Sequence, residues 1–306
     1  MFLGGAMKVV NLEEYIRVGG GRWGESFNHR ENPDIMMKLY APQQKQMALD
    51  EYDRAQKVYG LGIPTPEPGE IVEAPDGRLG MVFRRIPDKK SFARAIGENP
   101  EEAENLAARF ASMCKELHAT SVPEGMFPSV REKYRDIVKD FPFLPNDVKD
   151  GIIRFIYSMP DSHTALHGDL HFGNVIFSGD KAWFIDLGEF GYGYPMFDFG
   201  MAMMAMKCMR EEIMKDMFHT DKPTAIRFWQ AFLQAYFGKD CRADALEEEI
   251  LPFVALRAIY MESMEERIVP PFHKIIQETI EKGYWSVKNK TVQIIPNGTD
   301  LYQIPH

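Results

Sequence analysis

A short hairpin set inside a long helical stretch limits the architecture of this chain more than any other feature of its sequence. Asn174–Phe177 and Ala182–Ile185 read as two strand-like runs joined by Ser178-Gly179-Asp180-Lys181. On both sides of them the apolar residues follow helical spacing. Leu106, Phe110, Met113 and Leu117 recur at steps of four, three and four, and Phe199, Met203, Met206, Met209 and Ile213 form a second such stripe. The methionines of that second stripe read as core, since Met fills irregular interiors. Residues 8–86 differ. Val9–Val18, Ser26–Arg30 and Asp34–Tyr40 read as strands, and Gln43–Gly60 as one helix ending at Gly60 and Gly62-Ile63-Pro64. Glu70–Glu73 and Leu79–Arg85 flank Pro75-Asp76-Gly77, a hairpin signal. An α+β chain follows, with a smaller antiparallel-sheet part over residues 1–87 carrying one helix and a larger, mostly helical part over 88–306.

Composition narrows the function. The 306 residues carry 36 Lys+Arg against 45 Asp+Glu, a formal charge of −9. Such a balance disfavours non-specific binding to nucleic acid or to anionic membranes, and neither is expected as a partner. It leaves room for a small anionic ligand held by local N–H groups and one lysine. Cys114, Cys208 and Cys241 are far apart and in no Cys-x-x-Cys spacing, which argues against structural zinc and for a reducing compartment. No apolar run approaches the length of a membrane span; the stretch after Ile250 is cut by Arg257. Met1–Val10 lacks the pattern of a secretory signal, so a cytoplasmic protein is expected. Oligomeric state is not legible.

The chemistry is concentrated in His167-Gly168-Asp169-Leu170-His171-Phe172-Gly173-Asn174 and in Ile185-Asp186. Closing the hairpin returns Asp186 to Asn174, and a carboxylate with an amide oxygen suits Mg²⁺ when waters and phosphate oxygens complete the shell. Asp169 is a separate carboxylate, able to orient a hydroxyl or accept its proton. Turn residues are the competing reading, but a turn accounts for one of the three and not for all in register. Asp198-Phe199-Gly200 spells the string that marks a metal aspartate in protein kinases. It opens a helical pattern twenty-four residues after Asn174, so Asp186 is preferred for that role.

His-Gly-Asp-x-x-x-x-Asn, then Ile-Asp, then Gly193-Tyr194-Pro195-Met196-Phe197-Asp198, resembles the aminoglycoside phosphotransferase / choline kinase-like superfamily. The strong block spans 167–198, with weaker agreement from about 15 to 270. The arrangement looks like a group of uncharacterised bacterial phosphotransferases. The resemblance implies a two-lobed protein-kinase-like fold, with a nucleotide-binding lobe over 1–87 and the catalytic loop and acceptor site in 88–306. It implies an ATP- and Mg²⁺-dependent kinase acting on a hydroxyl of a small molecule. By the same resemblance Asp169 is the catalytic base, and Asn174 and Asp186 hold Mg²⁺. Lys38 reaches the phosphates, and Glu51 holds Lys38, with Asp53 as an alternative partner. Gly20, Gly21 and Gly24 form the turn over the phosphates, the adenine-facing hinge lies near Arg85–Pro87, and Asp198 braces the loop. Plain readings stand beside these: a hairpin turn for the glycines, a surface residue for Glu51, loop packing for His167 and His171, and a solvated carboxylate for Glu189. The Gly-Asp-Pro common in aminoglycoside kinases is here Gly193-Tyr194-Pro195, which weakens an antibiotic-kinase assignment and leaves the chemistry untouched.

The acceptor is where the sequence stops. Asp244, Glu247, Glu248, Glu249, Glu262, Glu265 and Glu266 would suit a choline-like amine or an amino sugar, or else form a solvated helix face. Trp229, Phe232, Tyr236 and Tyr260 would stack on a sugar or an amine, or else pack in the core. A catalytically weak nucleotide-binding regulator is the alternative function. A protein kinase is disfavoured because no Ala-Pro-Glu segment follows Asp186.

Overall fold

A computed structural model describes residues 7–21 and 24–285. The chain divides into two compact units. One comprises the residues up to Phe92 together with Gly173–Glu189; the other comprises Ala93–Phe172 and the described residues from Phe190 on. The division expected at residue 87 is a single cut, whereas the first unit also takes in the distant hairpin.

In the first unit six strands form one sheet: β1 (Lys8–Val9), β2 (Tyr15–Gly21), β3 (Gly24–His29), β4 (Ile35–Tyr40), β5 (Pro68–Glu73) and β6 (Leu79–Arg84). Their order is β1-β5-β6-β4-β3-β2. β1 lies parallel to β5, and every other pair is antiparallel. The first strand expected from sequence is two strands, because Asn11 caps a 3-10 turn at Leu12–Glu14 that interrupts it. Alternation along β4 decides which residues face the core. Met37 and Leu39 join Val10, Tyr15, Val72 and Ala74 in one apolar cluster, and Lys38 between them is placed on the other face. The single long helix of this unit, α1 (Lys45–Gly60), buries Ala48, Glu51, Ala55 and Val58, one stripe at helical spacing. The β5–β6 hairpin turns at Gly77, whose φ of +80° is the conformation only glycine adopts cheaply. β7 (Lys90–Ser91) pairs with the first strand of the inserted hairpin, described below.

The second unit is mainly helical. Its elements are α2 (Phe92–Glu98, starting at the boundary), α3 (Ala103–Ala119), α4 (Val130–Asp140), α5 (Asn146–Ser158), α6 (Met196–Met203), α7 (Glu211–Phe218), α8 (Lys222–Phe237), α9 (Ala243–Glu265) and α10 (Pro270–Glu281). A two-stranded ribbon, β8 (Ala165–Leu166) with a later partner at Gly191–Tyr192, closes the loop that carries Asp169. The stripe from Phe199 to Ile213 is not one helix. α6 passes into a π-helical turn at Met204–Cys208, and α7 starts afresh at Glu211. Met201, Met203, Met204 and Met206 are all buried, so the methionine run is core. Gly200 of α6 lets α9 approach, since a Cβ there would stand 2.6 Å from Phe253.

The glycine-rich turn falls between β2 and β3, with Gly20 opposite Glu25 and Gly21 opposite Gly24. Its tip, Arg22-Trp23, lies outside the described residues. A Cβ at Gly24 would stand 2.4 Å from the Leu39 carbonyl of β4, so this glycine has a packing reason independent of any ligand. At Gly19 a Cβ meets nothing within 4 Å. Gly24→Ala is therefore expected to cost about 1–3 kcal/mol, the range for overpacking. Gly19→Ala is expected to stay within about 0.5 kcal/mol. Urea denaturation of the two variants checks the contrast.

Candidate active site

In the first unit the site is built on the hairpin of β9 (Val175–Ser178) and β10 (Lys181–Phe184). Phe184 pairs with Val175, and the next amide, Ile185 N–H, donates to the Asn174 carbonyl at 3.0 Å. Asn174 and Asp186 therefore sit at the same end of the hairpin. Gly62-Ile63-Pro64-Thr65 holds that end in place. Phe184 N–H donates to the Pro64 carbonyl at 2.8 Å, and the Thr65 hydroxyl donates to the Phe184 carbonyl at 3.0 Å. Asp186 adopts φ +58°, a left-handed conformation that non-glycine residues seldom take, aspartate more readily than most.

Lys38 is the hub of this unit. Its ammonium donates to both oxygens of Glu51, at 2.9 and 3.0 Å, and to Asp186 Oδ1 at 2.7 Å. Asp53, the alternative partner, instead pairs with Lys57 one turn along α1. Glu51 is 5% exposed, so its charge depends on Lys38 for compensation. Burial alone would push the lysine down, but the Asp186 and Glu51 carboxylates outweigh it and hold its pKa well above 10.5. A folded-state pKa above the unfolded value means that this stabilisation is complete below about pH 10.5 and is lost only as pH climbs through the higher folded value. Tyr40, two residues along β4, is fully buried with its ring centroid 5.1 Å from the same ammonium. Burial, and next the Glu51 charge, raise its pKa. Arg54, one turn after Glu51, donates to the Gly188 carbonyl and ties α1 to the residues just after Asp186.

In the second unit the centre is the loop His167-Gly168-Asp169. Asp198 at the start of α6 is fully buried and accepts from His167 N–H at 2.9 Å and Gly168 N–H at 2.8 Å. Its Oδ2 also meets His118 Nε2 at 3.1 Å, while His118 Nδ1 meets the Tyr236 hydroxyl at 2.9 Å. Asp198 is thus enclosed by the loop it braces, and the Asp-Phe-Gly string is a packing element. His167 is fully buried, and its Nδ1 accepts from Asp169 N–H at 3.3 Å, a loop contact. The Asp169 carboxylate is a quarter exposed and binds Arg257 of α9, which also donates to the Gly168 carbonyl. His171 packs edge-on against Phe218.

Asn174 and Asp186 fit a hard cation in donor type, and Asp186 is open to solvent with its side chain 48% exposed. Among the described residues no three His, Cys, Asp or Glu converge as a metal cluster, so these two ligands need oxygens from water and phosphate to complete a shell. Of the acidic residues of the helical region, Asp244, Glu247 and Glu248 line one pocket together with Lys207, Arg242 and Lys282. Glu247 binds Lys207 and Trp229, and Glu248 binds Lys282 and Tyr284. Glu262 accepts from Val269 N–H and meets His273. Trp229 and Phe232 are fully buried and Tyr236 serves His118, so these aromatics are core.

Four contributors escaped the sequence analysis: His118, Thr65, Arg54 and Arg257. Only Arg257 left a signal there, as the lone charge in the apolar run Ile250–Tyr260.

The sheet unit thus carries a Lys–Glu–Asp cluster and the helical unit a braced His-Gly-Asp loop. The chain belongs to the phosphotransferase enzyme family (APH), whose family model matches residues 26–246. Among solved structures it is similar to the amicoumacin kinase hAmiN in complex with AMP-PNP, Ca²⁺ and Ami. The TM-score is 0.58 at 15% identity, over 91% of this chain and 90% of that one. A choline/ethanolamine kinase family protein from Mesorhizobium loti gives 0.56 at 17%, over 90% and 88%. The streptomycin–ATP–APH(2″)-IIa ternary complex gives 0.56 at 15%, over 88% and 91%. At such identities these likenesses establish a two-lobed kinase-like fold. Among curated protein sequences none matches. No helix of the described residues is long and apolar enough to cross a membrane.

Asp198→Ala is expected to cost about 3 kcal/mol or more, because it strips partners from the buried His167 amide, the half-buried Gly168 amide and His118. Lys38→Met is expected to lower the melting temperature at pH 7 by leaving the buried Glu51 carboxylate uncompensated. That deficit should be full below about pH 10.5 and narrow only as pH climbs beyond it toward the higher folded value, which melts of both proteins at pH 7 and in alkali would read.

Proposed function

We propose that the protein transfers the γ-phosphoryl group of ATP, bound with Mg²⁺, to a hydroxyl of a small molecule. The observation that carries this reading is Lys38 held between Glu51 and Asp186, in a family whose members are phosphotransferases. A lysine so fixed is a preorganised positive charge for phosphate oxygens, with no reorganisation needed at the moment of reaction. Solved neighbours of the same fold carry AMP-PNP with Ca²⁺, or ATP with streptomycin, which supports nucleotide as donor and a small molecule as acceptor.

Asn174 and Asp186 would hold Mg²⁺, which when bound neutralises charge on the phosphates. On the binding of nucleotide Lys38 would exchange part of its contact with Asp186 for the phosphates, while Glu51 keeps its position. The glycines Gly20, Gly21 and Gly24 would let the β2–β3 turn lie close to the phosphates. Asp169 would orient the acceptor hydroxyl and take its proton as the new O–P bond forms and the bond to ADP breaks. Positioning and fixed charge account for most of the rate.

An amino sugar, a sugar and a choline-like amine all remain within this chemistry. The acidic residues after 240 do not favour the cationic members, because Glu247, Glu248 and Glu262 are already bound to protein partners. A cytoplasmic enzyme is in keeping with this reading. A catalytically weak regulator would bind nucleotide without turnover.

Thermal stabilisation by ATP and ADP, with and without Mg²⁺, tests the reading. A ligand at about 100 times its Kd adds roughly 2.7 kcal/mol of apparent stability. Mg-dependent stabilisation is expected for wild type and lost in Asp186→Ala. Asp169→Asn should keep it and lose about 10²–10⁴ in turnover once an acceptor is in hand. Absence of stabilisation by either nucleotide at millimolar concentration would falsify the proposal.

A further inference from the structure

Arg257 stands where an ordinary helix would carry an apolar residue. Its neighbours Leu256 and Ala258 are fully buried, and Arg257 itself is 3% exposed. Burying a guanidinium costs several kcal/mol unless charge and hydrogen bonds compensate it. Much of that compensation comes from one loop. Nη2 donates to Asp169 Oδ1 at 2.8 Å, and Nη1 donates to the Gly168 carbonyl at 3.2 Å. The guanidinium also stacks on Tyr260, one turn further along α9, with Cζ 4.7 Å from the ring centroid. Lys133 of α4 lies 4.2 Å from the same centroid.

The two ends of the guanidinium fork grip two points of one loop. Nη2 takes Asp169 Oδ1 while Nη1 takes the carbonyl of the residue before it, so the carboxylate is held relative to its own backbone. A planar fork of donors in fixed geometry does this more strictly than a single point charge. An in-line attack tolerates little misplacement of the group that orients the nucleophile.

We infer that Arg257 is a positioning residue for phosphoryl transfer: it locks the Asp169 carboxylate in the orientation it presents to the acceptor hydroxyl. The inference rests on the phosphotransferase reading above and extends it to a helix outside the motif block.

The test uses full-length protein, with Mg·ATP hydrolysis as the assay and water standing in for the acceptor. Arg257→Met is expected to lose at least about 30-fold in turnover while its Kd for Mg·ATP stays within about twofold of wild type. Arg257→Lys, which keeps the charge without the fork, should lose about tenfold and serves where the methionine variant does not fold. Methylguanidinium should restore part of the activity of Arg257→Ala. The double variant Arg257→Met/Asp169→Asn should be no more than about twofold slower than Asp169→Asn, because Arg257 acts through Asp169. Multiplying losses in the double variant, or a loss under about threefold in both single variants, overturns the inference. A wild type that binds no Mg·ATP sinks the phosphotransferase reading instead. If it binds and does not hydrolyse, crystals decide: Asp169 in the same single rotamer in wild type and Arg257→Met overturns the role, and a displaced or split side chain supports it.

Discussion

The candidate chemistry of the first unit depends on a single ammonium group. Lys38 lies between the Glu51 carboxylate, which is almost wholly removed from solvent, and that of Asp186, which is half open to it. Two negative charges and one positive leave the cluster net anionic, a poor resting state for a site that is to receive phosphates and a good one for a site that also receives a divalent cation. The sheet supplies the geometry. Strand alternation puts Lys38 opposite Met37 and Leu39, so the apolar cluster that fixes β4 also fixes the lysine. The helix supplies the counter-charge, since Glu51 shares a stripe with Ala48 and Ala55.

The second unit solves a different problem with the same economy. The loop carrying Asp169 has little secondary structure to hold it, so its amides and its carboxylate are each given a buried partner. Asp198 takes the amides of His167 and Gly168, and His118 with Tyr236 completes the far side of Asp198. Arg257 takes the carboxylate itself. Each of these polar groups is costly to bury alone, and the network is stable because its members satisfy one another.

Much of the candidate site was legible because its spacing is local. Asp169 and Asn174 lie on one loop, and a two-residue turn returns Asp186 to Asn174 with no long-range information needed. The choice of Glu51 over Asp53 was also legible, because helix phase alone separates a buried position from an exposed one. The acidic run after 240 was not. Glu247 and Glu248 are adjacent in sequence and face different partners, Lys207 and Trp229 for one, Lys282 and Tyr284 for the other. No spacing rule pairs residues forty positions apart. The π-helical turn at Met204–Cys208 was hidden for a related reason: the apolar stripe continues through it, and periodicity does not register one residue of extra winding.

The sequence by itself determined the class of fold, the hairpin that interrupts the helices, and the residue types able to bind metal and phosphate, because those follow from periodicity, turn chemistry and short spacings. Tertiary structure alone decided which charges meet. It gave Lys38 two carboxylates, assigned Thr65 and Pro64 to hold the Asp186 end of the hairpin, and brought Arg257 from a distant helix onto Asp169. Except for Lys38 with Glu51, 13 positions apart, those pairings join residues separated by 88 to 148 positions, and only packing of the intervening chain brings such groups within hydrogen-bond distance.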